Sequence, residues 1–196
     1  MQVQTSSRRV LAGLLLFIGG AEFLTVMMVG EAIAPGYSAH SQPISDLGVI
    51  SQTADMFNLS VMILGVLLAA AGYLLYRDTG RVSILVTLAI AGFGTFFVAI
   101  FTLNSGIHGL FALTAFVFVP LAAIACSFAV TSPTKYVFWA LAIWSFIGLV
   151  LHIFEINGPL GEGGMERFFV CPSMLFVLAF GGYLLAKGEL TTHASK

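Results

Sequence analysis

The stretch EAIAPGYSAHSQPISDLGVISQTADM, residues 31–56, is the longest polar interruption in an otherwise apolar chain of 196 residues. It contains two prolines, one histidine and three acidic residues, but no lysine or arginine. The sequence on both sides is typical of membrane-spanning helices. We call residues 32–56 loop one, and we expect loop one to cap one end of the bundle that those helices form, held there by Asp46 and the loop hydroxyls.

The composition excludes a soluble protein, whose whole surface faces water. Hydrophobic residues make up 59% of the chain and charged residues only 9%, whereas soluble proteins carry roughly 25% charged residues. The net charge of -1 provides no basic face for nucleic acid, which excludes that class of partner. Cys126 and Cys171 fall near opposite ends of their spans, beyond the ~7 Å that a disulfide bridges, and we expect both thiols to be free.

Six segments are apolar and long enough to cross a membrane, since a spanning helix needs about 20 residues. They lie at about 10–31, 57–77, 82–103, 110–130, 137–156 and 168–187. We therefore predict an all-α fold, a single transmembrane domain of six helices over residues 1–196. Inside loop one, we expect Ile44 to Ile50 to form a short helix or re-entrant turn, because irregular backbone at membrane depth must be buried in protein.

Positive charges predict the orientation of this bundle. Lysine and arginine concentrate on the cytoplasmic side of membrane proteins, and seven of the eight here precede span one, follow span six or lie in alternate connections: Arg8, Arg9, Arg77, Arg81, Lys135, Lys187 and Lys196. Only Arg167 lies on the other side. We predict that both termini are cytoplasmic. Arginines precede the first span, as positive charges precede the apolar core of a signal peptide. Its apolar run exceeds the ~7–15 residues of such a core, so we expect the span to be retained.

Ionisable residues within or beside the outer ends of the spans are candidates for function, because a charge in hydrocarbon costs at least ~2.5–3.5 kcal/mol. Glu22 lies about two turns below the outer end of span one and is a candidate buried acid or proton-coupling residue, with His152, Arg167 or a loop hydroxyl as its partner. His152 and Glu155 are predicted to lie one turn apart on one face of span five. Either they act on a ligand or they form a hydrogen-bonded pair between spans.

These residues and loop one suggest a composite site at the outer face. The predicted general acid and base residues are Asp46, His108, His152 and Glu155, and the predicted substrate-binding residues are Tyr37, Ser38, Ser45, Glu166 and Arg167. Glu166 and Arg167 open span six, where they either pair at the interface or contact a ligand, with Arg167 holding a phosphate or carboxylate. A zinc ion is a further alternative, held by His108, His152, Asp46 and either Glu22 or Glu155.

Three groups of residues carry a resemblance to a known family. They are Pro35-Gly36-Tyr37-Ser38, Ile44-Ser45-Asp46-Leu47-Gly48, and a glycine-rich run (Gly161, Gly163, Gly164) that ends in Glu166-Arg167. The chain resembles the prokaryotic six-span membrane family catalogued as domain of unknown function 998, which implies a multi-pass protein of the cytoplasmic membrane of a prokaryote. Ile44, Ser45, Asp46 and Gly48 are also similar to the Tyr-Ile-Ser-Asp-x-Gly motif of the Frag1/DRAM/Sfk1 family, with Pro43 replacing the tyrosine. That similarity implies lipid handling at the outer leaflet.

Three functions follow as hypotheses. The first is a membrane-embedded enzyme acting on a lipid or lipid-linked substrate, with membrane lipid as its partner. The second is a small-solute or proton-coupled transporter that uses Glu22. The third is a non-catalytic sensor or scaffold in which loop one binds a protein. The crowding of polar residues at one face, instead of along a path through the bundle, favours the enzyme.

Overall fold

The computed structural model describes the backbone of residues 7–193 and the side chains of residues 7–187, so Lys196 lies outside the described residues. The helices are α1 Ser7–Ile33, α2 Ala54–Thr79, α3 Val82–Ile100, α4 His108–Ser127, α5 Thr134–Ile153 and α6 Gly161–His193. Six helical segments of the described chain are long and apolar enough to cross a membrane. No β-strand occurs in residues 7–193, and the predicted all-α fold is confirmed.

The helices form a closed ring in chain order. Each helix packs against the next, and α1 packs against α6 to close the ring. Loop one and residues 101–107 and 154–160 connect helices at the same end of the bundle, which we call the loop-one end. The short turn after α2 and residues 128–133 lie at the opposite end. The basic residues predicted to be cytoplasmic lie at this opposite end wherever the structure describes them.

Glycines allow the closest helix crossings. A Cβ atom on Gly92 of α3 would lie closer than 3.0 Å to the carbonyl oxygen of Gly65 on α2. A Cβ atom on Gly181 of α6 would likewise collide with the backbone of Gly13 and Phe17 on α1. Because lipid supplies no hydrophobic drive between helices, such close backbone contact is a main source of their association.

The predicted boundaries lie within three residues of the observed helix ends, except at both ends of span six. Span five was expected to reach residue 156, but α5 ends at Ile153. Span six was expected to begin at 168, but α6 begins at Gly161, so the glycine-rich run is helical and is not a loop. The short helix expected in loop one is confirmed as a 3₁₀ helix over Ile44–Gly48.

Candidate functional site

Arg167, on the second turn of α6, holds loop one to the bundle. Its Nε and one terminal nitrogen contact Glu31 Oε1 at 2.9 and 2.8 Å, which ties α6 to the end of α1. The other terminal nitrogen donates to the carbonyl oxygens of Ala39 at 3.1 Å, Gln42 at 3.2 Å and Gly163 at 2.6 Å. The Tyr37 hydroxyl accepts from the first terminal nitrogen. Every guanidinium nitrogen is thus engaged within the chain, and none is left for a head group.

Glu166 holds a second point of loop one. Its side chain is buried, with 4% of its surface exposed, and one carboxylate oxygen accepts a hydrogen bond from the backbone N–H of Ile44. That N–H begins the 3₁₀ helix and has no acceptor within it, as is usual at a helix start. Consecutive helical residues point about 100° apart, so Glu166 and Arg167 reach two different parts of the same loop.

The backbone of loop one lies directly on the first turn of α6. The carbonyl oxygen of His40 accepts from the N–H groups of Gly163 at 3.1 Å and Gly164 at 3.3 Å, which are otherwise unpaired donors at the helix start. A Cβ atom on Gly161 or Gly163 would lie closer than 3.0 Å to the carbonyl oxygens of His40 and Gln42 respectively. Glycine is required here because two backbones meet, and this explains the glycine-rich run.

Asp46 was expected to hold loop one in place, and this prediction was wrong, whereas among the loop hydroxyls that of Tyr37 does take part, through Arg167. Asp46 Oδ2 accepts a hydrogen bond from Gln42 Nε2 at 3.1 Å, entirely within the loop. Gln42 in turn accepts from the backbone N–H of Ser38 at 2.8 Å, and the Ser38 side chain faces outward. The anchors are instead charged side chains of α6, which lie more than 110 residues away in the sequence and have no local pattern linking them to the loop.

The burial of Tyr37 predicts that the attachment of loop one to α6 depends on pH. Burial raises the pKa of its hydroxyl above the ordinary value of 10.0, although the hydrogen bond from Arg167 opposes that shift. The unfolded chain therefore loses this proton first, and the stability that protonated Tyr37 contributes is complete below about pH 10 and lost as the pH rises through the raised pKa. We expect the thermal unfolding midpoint to fall more steeply above about pH 10 in the wild type than in Tyr37→Phe.

The matched control for this titration is Tyr136→Phe, which removes an exposed hydroxyl at the opposite end of the bundle. Its midpoint should follow the wild-type curve. Parallel curves for wild type and Tyr37→Phe would contradict the assignment.

A cavity of about 90 Å³ lies beneath the 3₁₀ helix of loop one. Its walls are mainly apolar and come from α2, α3, α4 and α6, together with Phe23 of α1. Its deeper part is formed by Leu64, Val119 and Met174. The polar side chains of its lining are Ser45, Asn58, Thr95, Thr102, His108, Glu166 and Ser173. Of these, Ser45, Asn58, Thr102, His108 and Glu166 lie toward the loop-one end.

Two of these polar residues are fixed in place by hydrogen bonds. His108, the first residue of α4, places Nδ1 2.7 Å from the carbonyl oxygen of Phe101. A carbonyl only accepts, so Nδ1 carries the proton in the neutral ring and Nε2 is the basic nitrogen. Asn58 donates from Nδ2 to the carbonyl oxygen of Gly48 at 2.9 Å, which fixes the loop above the cavity.

The structure brings together some of the predicted site residues and separates others. Ser45, His108 and Glu166 line the cavity, while Tyr37 and Arg167 hold the loop. Glu155 is exposed beyond the end of α5, with a positive φ of 57°, so the predicted shared helical face with His152 was wrong. The reason is that Asn157-Gly158-Pro159 ends span five earlier than its hydropathy suggests.

His152 and Glu22 lie apart from the cavity. The His152 ring packs against Phe169, with 5.4 Å between ring centroids, and its buried Nδ1 has no hydrogen-bond partner in the described part of the chain. Glu22 meets neither His152 nor Arg167. The side chain that faces it is Ser60 of α2, and within residues 7–187 its buried Oε2 makes no hydrogen bond.

The predicted zinc ligands do not converge. Among the described side chains, no three His, Cys, Asp or Glu residues group closely enough to hold a metal ion. His108 lines the cavity, His152 packs on another face of α6, and Glu155 is exposed. The two cysteines are free, as expected.

Sequence reasoning missed several residues that shape this end of the molecule. Thr95, Thr102 and Ser173 line the cavity, but single hydroxyls in apolar helices give no distinctive signal. Ser173 Oγ lies 3.0 Å from Ser145 Oγ and links α6 to α5. Glu31 could have been found from the sequence. Arg167 is the only lysine or arginine predicted on the outer side and needs an acidic partner, and Glu31 lies at the predicted outer end of span one.

The helices, their closed ring and the loop-capped cavity define a polytopic six-helix membrane protein. A family model described as "Protein of unknown function (DUF998)" matches residues 17–183, and the chain belongs to that family. A search of curated proteins found no match, and a search of solved structures found none either.

Proposed function

We propose that the protein is a membrane-embedded enzyme that binds a lipid or lipid-linked substrate in the cavity beneath loop one. The observation that carries this proposal is the division of the cavity into an apolar interior and a polar end. The apolar part, formed by Leu64, Val119 and Met174, suits a short apolar segment of such a lipid, with the remainder of its chain outside the cavity. The head group then lies beside His108 and Glu166 under the 3₁₀ helix.

The chemistry follows from the hydrogen bonds already made by these two residues. With Nδ1 held by the Phe101 carbonyl, Nε2 of His108 is the group that removes a proton from a substrate hydroxyl or water. Glu166 retains one carboxylate oxygen beyond its bond with Ile44 and can donate to or accept from the head group. Ser45 adds a hydroxyl on the loop side. Arg167, which was expected to bind the head group, instead holds loop one to the bundle.

The test compares the membrane lipids of a strain lacking the gene with those of the same strain carrying variants of it. Glu166→Gln keeps an acceptor for the Ile44 N–H but removes the acid, and His108→Asn keeps a donor for the Phe101 carbonyl but removes the base. We expect each to reduce conversion of the affected lipid by about a hundredfold, the lower range for loss of general acid or base catalysis. The readout is the lipid profile by mass spectrometry at equal protein levels.

Glu155→Gln and His40→Gln are the matched controls, since both side chains are exposed at the same end and outside the cavity. Both should restore the wild-type lipid profile. Full restoration by Glu166→Gln and His108→Asn would contradict an enzyme at this site. If reconstituted vesicles instead showed proton-driven uptake that is lost in Glu22→Gln, transport would replace the proposal. The feature that favours transport is the buried Oε2 of Glu22, which makes no hydrogen bond within residues 7–187.

A further inference from the structure

A second cavity, of about 590 Å³, opens at the opposite end of the bundle. It lies between α1, the turn from α2 to α3, the chain after α4, and the last turns of α6. Its lining has two parts. The apolar part is Leu75, Ile84, Ala129, Phe180 and Leu184, and the polar part is Arg9, Thr79, Arg81, Tyr183 and Lys187.

The polar part carries positive charge and no described acid. Arg9, Arg81 and Lys187 converge on the cavity from three separate elements, and neither Asp nor Glu is among the described residues that line it. Asp78 lies behind this surface, where it contacts Arg9 through two nitrogens at 2.7 Å each. Among the described residues, one acid lies beside these three cations, so the described part of the lining carries positive charge.

Two of the cations are positioned by their neighbours. The Asp78 side chain is 5% exposed and fixes the Arg9 guanidinium at the rim. The Lys187 ammonium lies 5.7 Å from the centre of the Tyr183 ring, which places both side chains on the same wall. Arg81 differs, because within residues 7–187 its guanidinium has no hydrogen-bond or ion-pair partner, although it lies against this cavity. An exposed arginine beside a concave surface, with no acceptor among residues 7–187, is available to an external anion.

We propose that this cavity binds a phosphate-bearing anion, with Arg81 and Lys187 contacting the phosphate and Tyr183 donating from its hydroxyl. Arginine and lysine are the usual partners of phosphate oxygens, and basic cavities between transmembrane helices are typical sites for anionic lipid head groups. The apolar floor suits the glycerol and upper acyl chain of a phospholipid. A soluble phosphate carries the same recognition chemistry, and the experiment separates the two sources.

The experiment uses the full-length protein purified in a neutral detergent. Unfolding is followed with a thiol-reactive fluorescent dye, since Cys126 is fully buried and reacts when the fold opens. Phosphatidylglycerol, phosphatidylcholine and inorganic phosphate are titrated separately at constant ionic strength. We expect phosphatidylglycerol to raise the midpoint and phosphatidylcholine to leave it unchanged. Arg81→Ala and Lys187→Ala should each raise the phosphatidylglycerol concentration needed by about fivefold, a typical effect of one basic residue near anionic lipid.

Lys135→Ala is the matched control. It removes one positive charge at the same end of the bundle, on a residue that does not line the cavity, and it should titrate as the wild type does. A rise with inorganic phosphate that Arg81→Ala and Lys187→Ala weaken would support the site with a soluble anion as its ligand. Equal titrations for all variants, or equal effects of both lipids, would overturn the proposal. Native mass spectrometry of retained phosphatidylglycerol gives the same comparison for any variant too unstable for the dye.

Discussion

Gly163→Ala is expected to lower the thermal unfolding midpoint of the purified protein by roughly 10 °C, the shift that a loss of about 3 kcal/mol gives in a chain of this size. The added methyl group would overlap the carbonyl oxygen of Gln42. No rotation of a side chain relieves that overlap, because the neighbour is backbone. Loop one must therefore move off α6, which breaks the hydrogen bonds to His40 and exposes Ile44 and Leu47, both buried in the native fold.

Gly182→Ala is the control, since it lies on the same helix and an added Cβ there meets no atom within 4 Å. In a helix interior this change should be neutral or stabilise the protein by about 0.5–1 kcal/mol. The measurement is thermal unfolding in detergent, together with proteolysis of loop one. Similar midpoints for Gly163→Ala and Gly182→Ala would show that loop one does not rest on α6.

Arg167→Met is expected to destabilise the protein by about 2–3 kcal/mol, because it breaks a partly buried ion pair and leaves a charged group without its partner. Glu31 would be left without its cation, and the carbonyl oxygens of Ala39, Gln42 and Gly163 without their donor. Arg167→Lys should recover only part of this loss, because one ammonium group cannot serve acceptors placed around a planar fork. Loop one should become sensitive to protease at temperatures where the helices remain folded.

Arg77→Met makes the same substitution at an exposed position of the opposite end, and its effect should stay within about 0.5 kcal/mol. A double-mutant cycle of Glu31→Gln and Arg167→Met isolates the ion pair, and the combined loss should be well below the sum of the single losses. Additive losses, or an Arg167→Met midpoint equal to that of Arg77→Met, would refute the role of Arg167 as the anchor of loop one.

The helices could be predicted from the sequence because lipid imposes a length and a composition on anything that crosses it. The predicted helix boundaries were wrong where the local composition favours one structure and tertiary contacts stabilise another. Gly161 to Gly164 have low helix propensity and were expected to form a loop, yet they begin α6 because loop one packs on them. Glu155 was misplaced for the opposite reason. Span five was predicted to remain helical to residue 156, but α5 ends at Ile153.

The site could be predicted only as a gathering of polar residues at one end. Ser45, His108 and Glu166 do line one cavity, but the pairing of Arg167 with Glu31 was not foreseen. Hydropathy gives the depth of each residue in the membrane, whereas the rotation of each helix and the order of helices around the ring decide which side chains meet. Those depend on crossings such as Gly65 with Gly92, which a single sequence does not reveal.

The long sequence separation between loop one and its anchors on α6 has a consequence for biogenesis. Glu31 and Arg167 are 136 residues apart and Ile44 and Glu166 are 122 apart, so a ribosome finishes loop one long before it makes either partner. The nascent chain must therefore carry loop one without its α6 anchors through the insertion of four further helices. Because α1 and α5 both pack against α6, a chain that has been made only as far as α5 leaves one face of each of these two helices without its partner.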